Sequence, residues 1–312
     1  MRLNHEWRLF VFHLRSRLIV FGLAYFAFVG TATARSLVIG RVSSDASQTH
    51  KQLKPMVDYV AKRLADIGIT DGQVLMAKNH DEMLRYLREG KVDWVQKTVF
   101  EALIYNREVD AEIALRSWRH GVPNYHTLMF ARKDGQIASL KDLVGKKIAF
   151  EDPGSTSAFF VPSAILKRAN FQLLELSSPK EKSPAGIIGY VFAGDELSIT
   201  TWVHRRIVDA GAYHNQNWND RKDAPKAMKK DLKVFYEGQP MPRMIELLRG
   251  TLEPNVKARI IKVLLRAHED PAATIALQGY GPRTAKFDEF IGQAKKELDE
   301  AMDLNRFFAR NR

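Results

Sequence analysis

Between residues 36 and 150, short apolar runs of strand length alternate with stretches whose apolar residues recur every three or four positions. Few folds accommodate that pattern. It describes strands joined by helices, which pack as a largely parallel sheet covered on both faces. The first run, residues 36–42, is followed by the polar loop Ser43-Ser44-Asp45-Ala46-Ser47. Leu53, Met56, Val57, Val60, Ala61 and Leu64 then make one amphipathic helical face, with Pro55 suited to an early turn and Gly68 to the end. Residues 73–77, 92–95, 113–116 and 125–131 read as strands, and 81–88 and 99–106 as helices. The pattern restarts with a strand at 147–150, a helix running to 169, a strand at 188–192, a helix at 196–206 and a short strand near 208–212. Two α/β units of roughly 100 residues each imply two lobes. After a strand at 232–236 the chain reads as helical, at 256–267 and 288–308, and those helices are expected to fold back on the first lobe.

The segment Glu151-Asp152-Pro153-Gly154-Ser155-Thr156-Ser157 lies between the 147–150 strand and the helix that follows it. Gly154 permits a tight turn, and three consecutive hydroxyls fall where the first helical turn leaves backbone N–H groups unpaired and partly positive. Such a turn can hold a small oxyanion. The same residues also serve as ordinary helix caps.

At the other end of the chain, Arg2, Arg8, Arg15 and Arg17 precede a 12-residue apolar run, 18–29, and the small-x-small sequence Ala32-Thr33-Ala34. The run is short for a bilayer span, and the arrangement predicts a cleavable export signal over residues 1–34, cut after Ala34. The chain has no cysteine, so neither a disulfide nor a lipid-modified thiol is expected. The net charge is +12. Removing the leader takes away four Arg and Glu6 and leaves 44 basic against 35 acidic residues, a net charge of +9. An exported basic protein suits an anionic ligand or surface. Nucleic acid is not expected, because basic residues are interspersed with acidic ones and no basic stripe carries interleaved aromatics. His120, His126, His204 and His214 lack metal-site spacing and are read as structural or exposed. No nucleophile elbow, Gly-rich phosphate loop or Cys nucleophile is present, so an enzyme has little support and no cofactor or metal is expected.

Several segments, in order, resemble the phosphate/phosphite/phosphonate substrate-binding proteins of ABC importers. They are Ile39-Gly40-Arg41-Val42-Ser43-Ser44, residues 53–60, Gly90-Lys91-Val92-Asp93-Trp94, Asn124-Tyr125-His126-Thr127, residues 140–147, Asp152-Pro153-Gly154-Ser155-Thr156-Ser157 with Pro162, and Val208-Asp209-Ala210-Gly211-Ala212. The resemblance spans about residues 36–290, and the Ser-Thr-Ser element is its most specific part. It implies a two-lobed α/β fold of the type II periplasmic binding protein class, with mixed sheets flanked by helices and a ligand cleft between the lobes. The lobes are expected over 35–122 plus 236–312 and over 123–235. The implied function is capture of a small oxyanion (phosphonate, phosphite or phosphate-like) by hinge closure. The implied partner is a permease in the inner membrane, and the implied form is a periplasmic monomer. A ligand-sensing partner of a membrane sensor kinase, or an enzyme on the same fold, remains open as an alternative.

Within that frame Ser155, Thr156 and Ser157 would grip anionic oxygens, and Lys97 would add a positive charge from the first lobe. Tyr125 would donate its hydroxyl. Asp195 and Asp209 would bind an amino group or a protonated oxygen, with Asp195 equally suited to capping the helix that starts at Glu196. Ser43 and Ser44 follow the first strand, where open α/β sheets bind ligands. The sequence departs from the family at Ala158 (usually Gly), at Gly194-Asp195-Glu196 (often Ser-His-Asp) and at Gln96-Lys97-Thr98. These departures lie where ligand choice would be set.

Overall fold

The computed structural model describes residues 35–281 and 283–311; the basic, apolar leader and its expected cleavage point lie outside the described residues. Strand β1, Arg35–Val42, connects through helix α1, Ala46–Lys62, to β2, Ile69–Ala77. Helix α2, His80–Arg88, leads to β3, Trp94–Lys97, and α3, Val99–Val109, to β4, Glu112–Arg119. The short β5, Asn124–Tyr125, precedes β6, Thr127–Arg132, and β7, Lys147–Phe150. Helix α4, Val161–Arg168, is followed by β8, Leu173–Glu175, and β9, Ile188–Phe192. Next come α5, Glu196–His204, β10, Ala210–His214, α6, Asn215–Asn219, and α7, Lys226–Lys229. Three strands follow: β11, Leu232–Glu237, β12, Met241–Pro242, and β13, Met244–Leu248. The chain then runs through α8, Pro254–Arg266, α9, Thr274–Gly279, β14, Thr284–Asp288, and α10, Gly292–Arg310.

These strands build two six-stranded mixed sheets, ordered β14-β4-β13-β3-β1-β2 and β11-β6-β10-β7-β9-β8. In the first sheet β1 runs parallel to β2 and β3, whereas β13 is antiparallel to β3 and β4. In the second, β7, β8, β9 and β10 run parallel, and β6 is antiparallel to β10 and β11. The chain passes between the sheets twice, between β4 and β6 and between β11 and β13. In those passages β5 and β12 pair with each other, Tyr125 opposite Met241.

Three local expectations need correction. The stretch after Tyr236 is not purely helical, since it contributes β12, β13 and β14. All five residues of β13 are buried between β3 and β4, and a short apolar run with both faces covered carries no period that separates strand from helix. Strand β3 begins at Trp94 rather than Val92; just before it the Asp93 carboxylate accepts from Val38 N (3.0 Å) and Arg249 Nη2 (2.7 Å). Helix α1 starts at Ala46, capped by the Asp45 side chain accepting from Gln48 N at 2.9 Å, so Pro55 lies mid-helix.

Helices cover both faces of each sheet. Leu53, Met56, Val57 and Val60 of α1 pack with Val256, Ile260 and Leu264 of α8 on one face of the first sheet. On the other face, Phe100 and Leu103 of α3 meet Leu298, Ala301 and Phe308 of α10, and the same cluster takes in Phe160, Val161 and Ala164 from the start of α4. Helix α10 thus rests on elements of both sheets. In the second sheet α5 packs tightly at Gly211, where an added Cβ would lie 2.4 Å from Ile199 Cγ2. That contact fixes the position of the first turn of α5.

Candidate ligand-binding site

Strand β7 ends at Phe150, and the chain bends where the Asp152 carboxylate accepts the Gly154 amide at 2.6 Å. Residues Thr156–Phe160 then form one wide turn with i to i+5 hydrogen bonding, continuous with α4. Ser155 caps it, its hydroxyl accepting from Ala158 N at 3.2 Å. Ala158, where the family has Gly, is fully packed in this turn and its methyl is accommodated. Thr156 Oγ1 lies 2.8 Å from Thr98 Oγ1, and Thr98 Oγ1 donates to Glu101 Oε2 at 3.0 Å. The Thr156 proton therefore goes to Thr98, and this short chain of hydroxyls joins the second sheet's turn to the start of α3. The Thr156 and Ser157 amides have no partner among the described residues. Unpaired amides at a helix start are donors suited to an anion.

In front of the turn lies a cavity of about 760 Å³. Ser155, Thr156, Ser157 and Tyr125 line it, together with two cations that inspection of the sequence does not single out, Arg119 and Arg243. Arg119 ends β4, and Arg243 stands between β12 and β13, so each occupies one of the two passages between the sheets. Arg243 is only 7% exposed, and its Nε and Nη1 have no hydrogen-bond partner among the described residues; nor has Arg119 Nε. Burial, with Arg119 alongside, lowers the Arg243 pKa to about 10. Burial, with Arg41 nearby, lowers that of Arg119 as well. Both groups remain cationic at neutral pH. A buried guanidinium beside a half-buried one, with no ion-pair partner for either among the described residues, is costly unless an anion comes to them. The Arg243 guanidinium lies 5.5 Å from the centre of the Tyr125 ring. Tyr125 is itself buried, and burial raises its hydroxyl pKa, so it stays protonated as a donor.

The cavity lining also includes acidic residues. Glu151 follows β7, Glu196 opens α5, and Asp223 follows α6. Burial, reinforced by Glu196, raises the Glu151 pKa to about 7, against some opposition from the Ser155 hydroxyl. Burial raises that of Glu196 too. His214 and His120, expected to be structural or exposed, also line the cavity. Burial beside Arg243 and Arg119 lowers the His214 pKa to about 3, so it is neutral there.

Lys97 is buried rather than presented to the cavity. Its ammonium lies 3.5 Å from Glu101 Oε1, 3.3 Å from His80 Nδ1 and 4.8 Å from the centre of the Tyr105 ring. Burial lowers its pKa. Asp195 takes the capping role, accepting from Ser198 N at 2.7 Å and Ser198 Oγ at 2.8 Å, and its neighbour Glu196 faces the cavity instead. Asp209 precedes β10, paired in parallel with β7, and accepts from Lys147 N at 2.8 Å. It therefore sits at the end of the sheet opposite the Ser155 turn. Ser43 donates to Asp45 O at 3.3 Å within its own loop, and neither Ser43 nor Ser44 lines the cavity. A legible clue to Arg119 and Arg243 exists only once the two passages are known, because both are Arg residues where strands leave one sheet for the other.

The chain matches the model of the family described as ABC transporter, phosphonate, periplasmic substrate-binding protein over residues 40–292. XAC2383 from Xanthomonas citri, solved with bound chloride, is 33% identical over 89% of this chain and 99% of its own, with a TM-score of 0.82. The same protein solved with ATP superposes with a TM-score of 0.81 over 88% of this chain and 98% of its own, again at 33% identity. PhnD1 from Prochlorococcus marinus, in complex with methylphosphonate, shares the fold at 15% identity, with a TM-score of 0.59 over 89% of this chain and 100% of its own. The phosphate-import protein PhnD of Mycolicibacterium smegmatis is 36% identical over 92 residues, 29% of this chain and 27% of that protein, so the match spans about a quarter of the curated relative. The architecture is that of type II periplasmic binding proteins, and the chain belongs to the phosphonate-type periplasmic substrate-binding protein family of ABC transporters.

Proposed function

We propose that this protein captures a small phosphoryl or phosphonyl anion in the cavity between its two sheets and delivers it to a membrane permease of an ABC importer. The observation that carries this reading is the pair Arg119 and Arg243, lining the cavity with buried N–H donors that have no hydrogen-bond partner among the described residues. Thr156 and Ser157, whose amides have no partner among the described residues, line the same cavity. Full positive charge and helix-start amides lining one cavity suit a tetrahedral oxyanion. XAC2383, solved with chloride and with ATP, holds anions of very different size, and PhnD1 holds methylphosphonate. Membership of a family of periplasmic substrate-binding proteins supports a binding role.

The finer picture has lobes over 35–122 plus 236–312 and over 123–235, with the end of β11 still in the second sheet. They hinge at the paired β5 and β12, and ligand contacts shift the population toward the closed form that a permease recognises. The exported form is a monomer that begins after Ala34. Thermal melts of the purified protein against phosphate, phosphite, methylphosphonate and ATP test the reading. At 100 times Kd, a bound anion adds about 2.7 kcal/mol of stability and raises Tm. The expected result is a rise with at least one of these anions and no turnover of the phosphate esters. No rise with any of them, in a well-folded sample, contradicts it.

A further inference from the structure

We propose that a basic cleft between α1 and α8, away from the cavity, docks the protein on the anionic phospholipid headgroups of a membrane surface; this goes beyond the anion-capture reading and does not depend on it. Helix α8 carries four cations, Lys257, Arg259, Lys262 and Arg266, and no acidic residue over Pro254–Arg266. Its apolar stripe of Val256, Ile260 and Leu264 is buried in the core with α1. Arg259, Lys262, Val263 and Arg266 recur at three- and four-residue spacing on another stripe, and with Tyr59 and Arg63 of α1 they line a cleft of about 520 Å³. The lining holds four cations against Glu269 and Asp270. A binding protein of an ABC transporter works beside a membrane, so an anionic lipid surface is within its reach.

Two of these cations are fixed and two are free. Arg63 stacks on the Tyr59 ring, 3.7 Å from its centre, and pairs with Asp270, which also accepts from Tyr59 Oη at 3.1 Å. Arg259 donates twice to Asp66 at 2.8 Å and once to Arg63 O at 3.0 Å. These bonds hold α8 against the end of α1. The Lys262 and Arg266 side chains are exposed, with no hydrogen-bond or ion-pair partner among the described residues. Like charges three and four apart on one helix repel, and an external layer of negative charge offsets that repulsion. Ile275, one turn beyond the cleft-lining Pro271, is 74% exposed, the most of any large apolar side chain among the described residues. Cations flanked by an exposed aliphatic side chain suit a headgroup layer, where charge meets phosphate and the aliphatic group enters the acyl boundary. The position fits as well. Strand β4 runs parallel to β1, so Arg119 at the end of β4 and Arg35 at the start of β1 lie at opposite ends of the sheet. Arg259 reaches Asp66, beside the start of β1 and β2, so the docked cleft leaves the cavity open to ligand. Arg35, where the expected export leader joins the fold, pairs with Glu253 at 3.0 Å just before α8. A leader held in the membrane would deliver this helix next to it.

The test is co-sedimentation of the protein, purified after export, with vesicles of equal parts phosphatidylglycerol and phosphatidylcholine, and with vesicles of phosphatidylcholine alone. Wild type is expected to bind the anionic vesicles only, and less tightly as salt is raised. The double variant Lys262→Gln, Arg266→Gln is expected to bind about 10-fold or more weakly, as two cations leave an anionic surface. Ile275→Ser, which changes no charge, is expected to weaken binding several-fold. Lys226→Gln, Lys230→Gln removes the same charge from exposed positions of α7 and is expected to stay within about 2-fold of wild type. Circular dichroism checks each fold, and should the double variant not fold, Lys262→Gln and Ile275→Ser decide. Binding that ignores phosphatidylglycerol refutes the proposal. Equal losses in the two double variants assign binding to net charge and refute the cleft. If inorganic phosphate raises Tm in wild type but not in the Lys262, Arg266 variant, and no vesicle binds, the cleft takes free phosphate and membrane docking is refuted. Anion capture in the cavity stands in each of these cases.

Discussion

The Glu151 carboxyl is neutral in the folded protein up to about pH 7, because burial and the Glu196 carboxyl both disfavour its charge. Unfolded, it would ionise near its ordinary value of 4.5. A carboxyl with a raised folded-state pKa contributes stability that is fully present below the unfolded value and is lost as pH rises through the folded one. The groups facing it, Glu196, Asp152 and Asp195, are all acidic, so nothing on those elements reverses the sign. Melting curves of wild type and Glu151→Gln at pH 5 and pH 8 should therefore diverge, with the wild type losing more Tm between the two. Equal losses would mean that Glu151 is not held neutral. Asp209 offers a contrast. Its carboxylate accepts the Lys147 amide at the far end of the sheet, so Asp209→Ala should cost about 1–3 kcal/mol of stability and leave anion affinity unchanged in calorimetry. The Ser155-Thr156-Ser157 turn was legible because hydroxyls and a glycine at a strand-to-helix junction have a local physical meaning. Arg119, Arg243 and the acidic residues of the cavity were not, because a single Arg or Glu reads the same whether solvated or buried. Only the meeting of distant segments makes it a site. Lys97 illustrates the converse: a lysine beside a strand end looks like a ligand contact, but Glu101 and Tyr105 already occupy it.

At the scale of elements, the alternating first half of the chain was readable because amphipathic helices and half-covered strands carry a period. Strand β13 carries none, being buried throughout in the middle of its sheet, and so it was missed. Helix α10 was legible as a helix, but its seat on both sheets was not. That seat is held partly by a buried polar group. Arg116, at 7% exposure, donates through Nη2 to Asp288 at 2.6 Å and through Nη1 to Asn124 Oδ1 at 2.7 Å. Glu297 of α10 accepts from Asn124 Nδ2 at 2.7 Å and lies 3.4 Å from Arg116 Nη1. Asn124 belongs to β5, so the network ties α10 to one of the passages between the sheets. Glu297→Ala leaves Asn124 and Arg116 short of a buried partner and should cost about 3 kcal/mol, several degrees of Tm. Lys295→Ala on the solvent side, where the Asp299 pair is more than half exposed, should stay within about 0.5 kcal/mol. Equal effects in the two melts would remove the network from the account.

For the whole molecule, a basic chain that concentrates unpaired cations in one cavity is poised for an anion both at a distance and at contact. Net charge raises the encounter rate, and in the proposed reading the guanidinium pair supplies the contact. The same architecture surrounds methylphosphonate in PhnD1 and ATP in XAC2383, so the fold alone does not name the occupant. The central claim is that Arg119 and Arg243, rather than Lys97, carry the anion. Its most direct test is calorimetric titration, into wild type and into Arg243→Gln, of whichever of phosphate, phosphite or methylphosphonate binds the wild type most tightly. The account predicts an affinity loss of about 100-fold or more in the variant, as expected when one partner of a buried charged contact is removed, with the ligand-free Tm unchanged or raised because two like charges no longer face each other. Undiminished binding by Arg243→Gln would contradict it.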